Sequence, residues 1–145
     1  MRALGIDLGS RRIGVAISDD GETVATPLTT VQRSTDPSAH RAAIADLVAE
    51  WGVGVVVVGV PISLSGAEGP AAEAALADVE LLRGSLSVPV ETVDERMTTV
   101  VADQRLREAN VRGRAKSAVV DQTAAAVILQ GWLDARGNRR EGTPA

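Results

Sequence analysis

The sequence predicts an α/β domain in which helices flank a five-stranded mixed sheet. Three strands in a meander come first, two further strands are each preceded by a helix, and the C-terminal third is helical in pattern. This order is typical of a sheet with both antiparallel and parallel strands. The 145 residues, of which 45% are hydrophobic and 23% charged, are enough for one core. We expect one domain over residues 1–137 and a flexible C-terminal tail over 138–145.

The first thirty residues predict three antiparallel strands. Apolar residues alternate with small or polar ones over 4–8 and again over 13–18, with a Gly-Ser-Arg turn between the two segments. A second turn signal, Asp19-Asp20-Gly21, leads to a strand over 23–30. Pro27 within that strand indicates an edge position, because proline cannot donate a hydrogen bond to a neighbouring strand.

A helix and a buried strand follow. Asp36 is placed as an N-cap with Pro37 at the first helical position, and apolar residues at helical spacing continue to Trp51. The nearly unbroken β-branched run Val53–Val60 is typical of a strand that is covered on both faces. It is therefore expected in the interior of the sheet.

A second helix and strand complete the predicted sheet. A glycine- and serine-bearing loop over 61–69 precedes a helix over 70–83, with Gly84 as its C-cap, and a short strand over 88–93.

The C-terminal third predicts two helices separated by a basic break. The first runs from Thr98 to about residue 110 and the break covers 111–116. The second covers 117–136 and is expected to end at Gly137.

Composition excludes several classes of protein. The chain has no cysteine, which excludes a disulfide scaffold and any site built on thiolates. Asp7 falls where a secretory signal would need apolar residues, and no apolar run approaches membrane-spanning length. We expect a cytoplasmic protein without a membrane partner.

The net charge of −4 conceals an uneven distribution of charge. Residues 19–95 carry three basic and thirteen acidic residues, whereas residues 96–145 carry nine basic and five acidic ones. A basic C-terminal third is compatible with anion binding, although solvated helix surfaces give similar counts.

The single histidine and the two tryptophans are assigned structural roles. His40 lies at the start of an amphipathic helix, where we expect it on the solvated surface. Trp51 and Trp132 occupy apolar helical stripes, which favours core packing over base stacking.

Asp7 is the first candidate for chemistry. It lies within a strand between Gly5 and Gly9, and an ionised carboxylate at a core-forming position needs a cation or hydrogen bonds. Two interpretations remain open. The glycines could admit a ligand, or the carboxylate could bond the turn that follows the strand.

Two acids and an arginine, Asp94, Glu95 and Arg96, follow the strand over 88–93. Ligands usually gather at this end of the strands in an α/β sheet, and such a group can bind a metal and a phosphate together. Helix capping by Asp94 is the alternative, although Thr98 and Thr99 are better placed as caps.

Asp121 is the third candidate. It lies near the start of the last helix, on a face shared with Ser117, Ala125, Ile128 and Trp132. Taken alone, it is more simply explained as an acid stabilised by the helix dipole.

The three candidates become informative together. If the last helix crosses the sheet beside the first strand, Asp7, Asp121 and one of Asp94 and Glu95 converge. Carboxylates so close together repel one another unless a divalent cation lies between them. Oxygen donors favour Mg²⁺ or Mn²⁺ over zinc, and a site of this kind hydrolyses phosphodiesters.

Four motifs resemble those of the bacterial YqgF/RuvX family. The match covers nearly all of residues 2–136 in order, and four motifs at compatible spacing make it specific. The motifs are Gly5-Ile-Asp7-Leu-Gly9-Ser-Arg-Arg12-Ile-Gly14, Val58-Gly59-Val60-Pro61 with Gly66, Val93-Asp94-Glu95-Arg96-Met-Thr98-Thr99, and Lys116 with Val120-Asp121, Ala124-Ala125 and Ile128-Leu129-Gln130.

The resemblance implies a ribonuclease H-like fold and a nuclease that processes the 5′ end of the small-subunit ribosomal RNA precursor. The family's metal-binding acids fall on Asp7, on Asp94 or Glu95, and on Asp121. Related resolvases carry their second acid after the strand that corresponds to Val53–Val60, where this chain has none.

Nucleic-acid contacts are expected on basic and hydroxyl residues. By resemblance these are Arg12, Arg96 and Lys116, with Thr98 and Thr99 beside them, and the basic break adds Arg112 and Arg114.

Three alternatives to an RNA nuclease remain at this point. They are a Holliday junction resolvase-like nuclease acting on branched DNA, a non-catalytic RNA- or ribosome-binding factor, and an actin- or sugar-kinase-like ATPase. Two ATPase lobes would need far more than 145 residues, so length argues against the last. A monomer and a homodimer are both compatible with the sequence.

Overall fold

The computed structural model describes residues 1–9, 11–33, 35–60, 70–94 and 117–141. Within these ranges five strands and three helices form. The strands are β1 (Arg2–Leu8), β2 (Arg12–Ser18), β3 (Ala25–Gln32), β4 (Val53–Val60) and β5 (Val90–Asp94), and the helices are α1 (Pro37–Trp51), α2 (Pro70–Ser85) and α3 (Ser117–Glu141).

The five strands form one mixed sheet in the order β3-β2-β1-β4-β5. The meander β1-β2-β3 is antiparallel, whereas β1, β4 and β5 are parallel to one another. The mixed sheet predicted from the sequence is thereby confirmed, with Pro27 on an edge strand. The predicted loop over 61–69, the helix over 98–110 and the basic break over 111–116 lie outside the described residues.

Each face of the sheet builds its own core, and β4 contributes to both. Val56 and Val58 pack on the side of α1 and α2, whereas Val55 and Val57 pack on the side of α3. All four side chains are buried. The β-branched run therefore predicted the central position of β4 correctly. A strand covered on both faces has apolar residues on both, so its sequence shows no alternation of apolar and polar residues.

Two predicted helix ends are wrong. α2 continues through Gly84 to Ser85, where the Ser85 hydroxyl donates to the Leu81 carbonyl at 2.9 Å. α3 continues through Gly137 to Glu141. The left-handed glycine cap occurs instead after α1, at Gly52, with φ 61°.

The capping of α1 agrees with the sequence prediction. The Asp36 carboxylate accepts from the Ser38 backbone N–H at 3.0 Å and from the Ser38 hydroxyl at 2.7 Å. These bonds, the hydroxyl first, lower the pKa of Asp36.

A carboxylate also closes the loop between β2 and β3. Asp19 accepts from the backbone N–H groups of Thr23 and Val24 at 2.8 and 2.9 Å, and from the Thr23 hydroxyl at 2.7 Å. The bonds, led by that from Val24, lower its pKa to about 2. The second turn signal of the sequence is thus a loop held by its first residue.

His40 is buried, with 7% of its surface exposed, so the expectation of a solvated side chain is wrong. α1 packs against α2, and the charges of Arg33 and of Asp78 in α2 act on the ring. Burial, aided by Arg33, lowers the pKa of His40. Helical periodicity could not show this contact, which comes from a helix thirty residues further along the chain.

None of the helices in the described ranges combines the length and the apolar character needed to cross a membrane.

Helix α3 lies directly against the backbone of β1 at Gly5. A Cβ atom at this glycine would stand 2.7 Å from the Leu129 Cβ and 2.9 Å from the Ala125 carbonyl oxygen. Neither atom can move without shifting the backbone of α3. The close packing of the helix on the sheet therefore requires glycine at this position.

We predict that Gly5→Ala lowers the free energy of unfolding by about 1–3 kcal/mol, because the added methyl group overpacks the α3 contact. Gly131→Ala is the matched control, since nothing lies within 4 Å of a Cβ built there. The control should instead stabilise the helix by about 0.5–1 kcal/mol. Urea denaturation followed by circular dichroism measures both, and equal effects would contradict the close contact.

We also predict that stability falls as the pH drops below 6.5 through the protonation of His40. Its pKa is lowered in the folded state, so the unfolded chain binds the proton first and acid favours unfolding. The contribution is complete above pH 6.5 and is lost as the pH falls towards the folded pKa. The change in urea midpoint between pH 7.5 and 5.5 should be smaller in His40→Gln, and an unchanged difference would refute the assignment.

Candidate functional site

Asp7 lies near the C-terminal end of β1, and both of its cross-strand neighbours are glycines. It pairs with Gly14 of β2 on one side and with Gly59 of β4 on the other. The carboxylate residue is half-buried. Neither neighbour has a side chain, so no side chain of β2 or β4 stands directly beside Asp7 in this row of the sheet.

The face on which Asp7 lies is the face covered by α3. Its alternation partner Ala3 belongs to the α3-side core, and Gly5 between them carries the α3 contact. Gly9 follows two residues later, at a turn where a Cβ would collide with the Arg12 carbonyl oxygen. Glycines therefore surround Asp7 along its own strand as well as across it.

Helix α3 runs antiparallel to β1, with its N-terminal end towards Asp7. Its C-terminal half is anchored at the start of β3, where Gln130 accepts from the Ala25 N–H at 2.8 Å and donates to the Thr23 carbonyl at 2.9 Å. The start of β3 pairs with Ser18, whose hydroxyl accepts from the N–H of Ala3. The helix therefore runs opposite to β1, and the residues that precede Gln130 lie towards Asp7.

The same direction places residue 121 of α3 on the Asp7 side of the Gly5 contact. That contact is made by the Ala125 carbonyl oxygen and the Leu129 Cβ, and residue 121 precedes Ala125 by about one helical turn. The backbone of the third sequence candidate therefore lies towards the end of β1 that carries Asp7, while the side chain of Asp121 lies outside the described part of the structure.

Asp94 ends β5 on the opposite face of the sheet. It pairs with Val60, which packs against Ala75 of α2, and Val93 before it packs on the α3 side. Cross-strand partners point to the same face, so Asp94 lies on the α2 side and Asp7 on the α3 side. Asp94 is half-buried at the end of its strand, on the face of the sheet opposite to Asp7.

The turn between β1 and β2 carries two arginines beside Asp7. Arg11 is exposed, and Arg12, a predicted nucleic-acid contact, is half-buried at the start of β2. Both lie at the sheet edge where Asp7 lies. Positive charge therefore lies at the same end of the sheet as the carboxylate.

Sequence reasoning missed Arg33. It follows β3, and its side chain donates to the Gly9 carbonyl at 2.6 Å and to the Asp78 carboxylate at 3.0 Å. No local pattern marks it, because the three residues meet only once the strands pair and α2 packs.

The other predicted site residues fall outside the described ranges, so their placement stays a prediction. They are Glu95, Arg96, Thr98, Thr99, Arg112, Arg114 and Lys116. Among the described side chains, no group of three histidine, cysteine, aspartate or glutamate residues is placed to hold a metal.

The described residues nevertheless fit a divalent metal at Asp7. The donor is a carboxylate oxygen, which is the ligand type that Mg²⁺ and Mn²⁺ prefer. Mg²⁺ keeps several of its waters when it binds, and neither glycine paired with Asp7 has a side chain that would take their place. The arrangement can bind a hydrated cation at the sheet surface and an anion at the neighbouring arginines.

Known proteins match this chain over most of its length. A family model described as "RuvX: Holliday junction resolvase" matches residues 1–135. A protein of Anaeromyxobacter sp. named "Putative pre-16S rRNA nuclease" is 48% identical over 136 residues, covering 94% of this chain and 98% of the relative. A protein of Chloroflexus aggregans with the same name is 49% identical over 135 residues, covering 93% and 94%.

Solved structures show the same fold. RuvC of Thermus thermophilus in complex with a Holliday junction substrate superposes with a TM-score of 0.59 at 18% identity, covering 95% of this chain and 96% of RuvC. A second Thermus thermophilus RuvC structure gives a TM-score of 0.54 over 95% and 97% of the two chains. The ribonuclease H-like fold implied by the sequence motifs is thereby confirmed.

Proposed function

Since the chain belongs to the RuvX family, as its motifs indicated, we propose that it is a divalent-metal-dependent nuclease that processes the 5′ end of the 16S ribosomal RNA precursor. The observation that carries the proposal is the placement of Asp7. It lies between two glycines on the face of the sheet that α3 covers, at the end of β1 towards which the start of α3 is directed. A half-buried acid without a neighbouring side chain in its row of the sheet is suited to bind a cation.

The metal ligands in this proposal are Asp7, Asp121 and Glu95. Residue 121 is supported by the direction of α3 and by its spacing from Ala125. Glu95 is supported by the alternation of β5, because Asp94 lies on the α2 side and the next residue in an extended chain alternates to the side of Asp7. Asp94 then serves as the alternative ligand if the chain turns at the strand end.

Each group has a distinct role in the proposed reaction. Mg²⁺ or Mn²⁺ would supply positive charge to stabilise the negative charge that develops on the phosphate during hydrolysis. Asp7 holds its carboxylate at a place fixed by strand pairing on both sides. Arg12 binds a neighbouring phosphate, and Arg96, Thr98, Thr99, Arg112, Arg114 and Lys116 extend the nucleic-acid contact.

Precursor ribosomal RNA is favoured as the substrate, because relatives named for its cleavage match this chain over nearly their whole length. Branched DNA is the second candidate, because the family model is described as a Holliday junction resolvase. A direct comparison of the two substrates, each with Mg²⁺ and with Mn²⁺, decides between them. Cleavage of neither, with binding retained, would favour a non-catalytic RNA-binding factor.

We predict that Asp7→Asn lowers the cleavage rate about 100-fold or more, which corresponds to about 3 kcal/mol of lost transition-state stabilisation. The amide has the shape of the carboxylate but not its charge, so the fold and RNA binding should be retained. Cleavage of a 5′-labelled precursor transcript measures the rate. Asp46→Asn, which removes an exposed carboxylate of α1, is the control and should cleave normally.

We further predict that Glu95→Gln is more harmful than Asp94→Asn, because only an acid on the α3 side can share a metal with Asp7. The expected difference in cleavage rate is about tenfold or more, the usual range for loss of a group that supports a metal. Titration of each variant with Mn²⁺ should show the same order in metal affinity. The reverse order would assign the ligand to Asp94.

A further inference from the structure

Arg33 holds the turn between β1 and β2 from two directions. Its backbone N–H donates to the Arg11 carbonyl at 3.0 Å, and its side-chain Nε donates to the Gly9 carbonyl at 2.6 Å. We call the three residues Gly9, Arg11 and Arg12 the basic turn. Two of its carbonyl oxygens are therefore bound by one residue that follows β3.

The other end of the Arg33 guanidinium ties the basic turn to α2. Nη2 donates to the Asp78 carboxylate at 3.0 Å, and the two side chains are only 23% and 26% exposed. A planar guanidinium can donate to a carbonyl and a carboxylate in fixed directions at the same time. The turn is thus connected through one side chain to a helix that packs on β4 and β5.

We propose that Arg33 is a positioning residue that orders the basic turn and so presents Arg11 and Arg12 to the phosphates of the nucleic acid. The inference rests on the proposed nuclease function, since it concerns how that site binds its substrate. Arg33 itself is directed towards Gly9 and Asp78 and acts through the turn.

The geometry also predicts which step depends on Arg33. Asp7 is held by pairing with Gly14 and Gly59, which the basic turn does not supply. Disorder in the turn therefore leaves the carboxylate in place, but fixing Arg11 and Arg12 against phosphates then costs so much entropy that one or both contacts are lost from the complex. Substrate affinity should fall while the rate of the bound complex changes little.

The test compares Arg33→Met and Arg33→Lys with Arg83→Lys. Arg83 is a matched control, because it also joins a carbonyl, that of Val90 at 3.1 and 3.2 Å, to a carboxylate, that of Glu80. It does so at the start of β5, away from the basic turn. Amide hydrogen exchange of the basic turn and binding of a fluorescent precursor transcript are measured for each variant, the latter in an Asp7→Asn background at several KCl concentrations.

We expect Arg33→Met to accelerate amide exchange in the basic turn and to weaken RNA binding, each about tenfold. The slope of log affinity against log salt should become shallower by about one to two, as expected for the loss of one or two phosphate contacts. In the protein with Asp7 intact, KM should rise about tenfold and kcat should stay within about twofold. Arg33→Lys should show most of these effects, because lysine keeps the positive charge but not the planar group that donates to a carbonyl and a carboxylate at the same time. Arg83→Lys should show none.

Three results would overturn the inference. They are unchanged exchange in both Arg33 variants, faster exchange with unchanged RNA affinity, and full recovery of affinity and salt slope by Arg33→Lys, which would assign Arg33 a direct contact. Absence of RNA binding by the parent protein refutes the proposed function instead. The exchange measurement then still shows whether Arg33 orders the turn, so the two failures can be told apart.

Discussion

The close contact between α3 and β1 at Gly5 is the constraint on which the rest of the site depends. A single missing Cβ lets the helix approach until Ala125 and Leu129 touch the strand backbone. That contact fixes the position of the helix along β1, while the hydrogen bonds of Gln130 at the start of β3 fix the direction of the helix. The residues of α3 that precede Ala125 then lie towards the end of β1 that carries Asp7. One packing distance thus sets on which side of Gly5 the start of the helix lies.

Strand β4 contributes a glycine rather than an acid beside Asp7. Gly59 pairs with Asp7 on one side and with Val93 on the other, so these three residues form one row across the sheet. An acid at the end of β5 must act across about 10 Å of sheet, which is two strand spacings, and Gly59 places no side chain between them. A ligand supplied by β5 in the proposed site is consistent with this row.

Local signals in the sequence were sufficient for most of the fold. Capping by Asp36 and the β-branched run of β4 depend on neighbouring residues, so both could be predicted. Asp7 could also be singled out, because an acid among glycines conflicts with its strand pattern. The burial of His40, the bonds of Arg33 and the face of Asp94 could not be predicted, because each depends on which elements pack together. Pairing register, unlike periodicity, joins residues that are far apart in the chain.

The uneven distribution of charge favours one direction of approach for a nucleic acid. The body of the chain from residue 19 to 95 has ten more acidic than basic residues, and it should repel a polyanion over most of its surface. Against that background, the arginines of the basic turn place positive charge beside Asp7. Repulsion by the acidic residues and attraction by the arginines beside Asp7 favour the same direction of approach. A small number of positively charged side chains can therefore orient a nucleic acid. An overall negative charge is then compatible with the proposed RNA substrate, because the net charge conceals the arginines beside Asp7 and the basic C-terminal third.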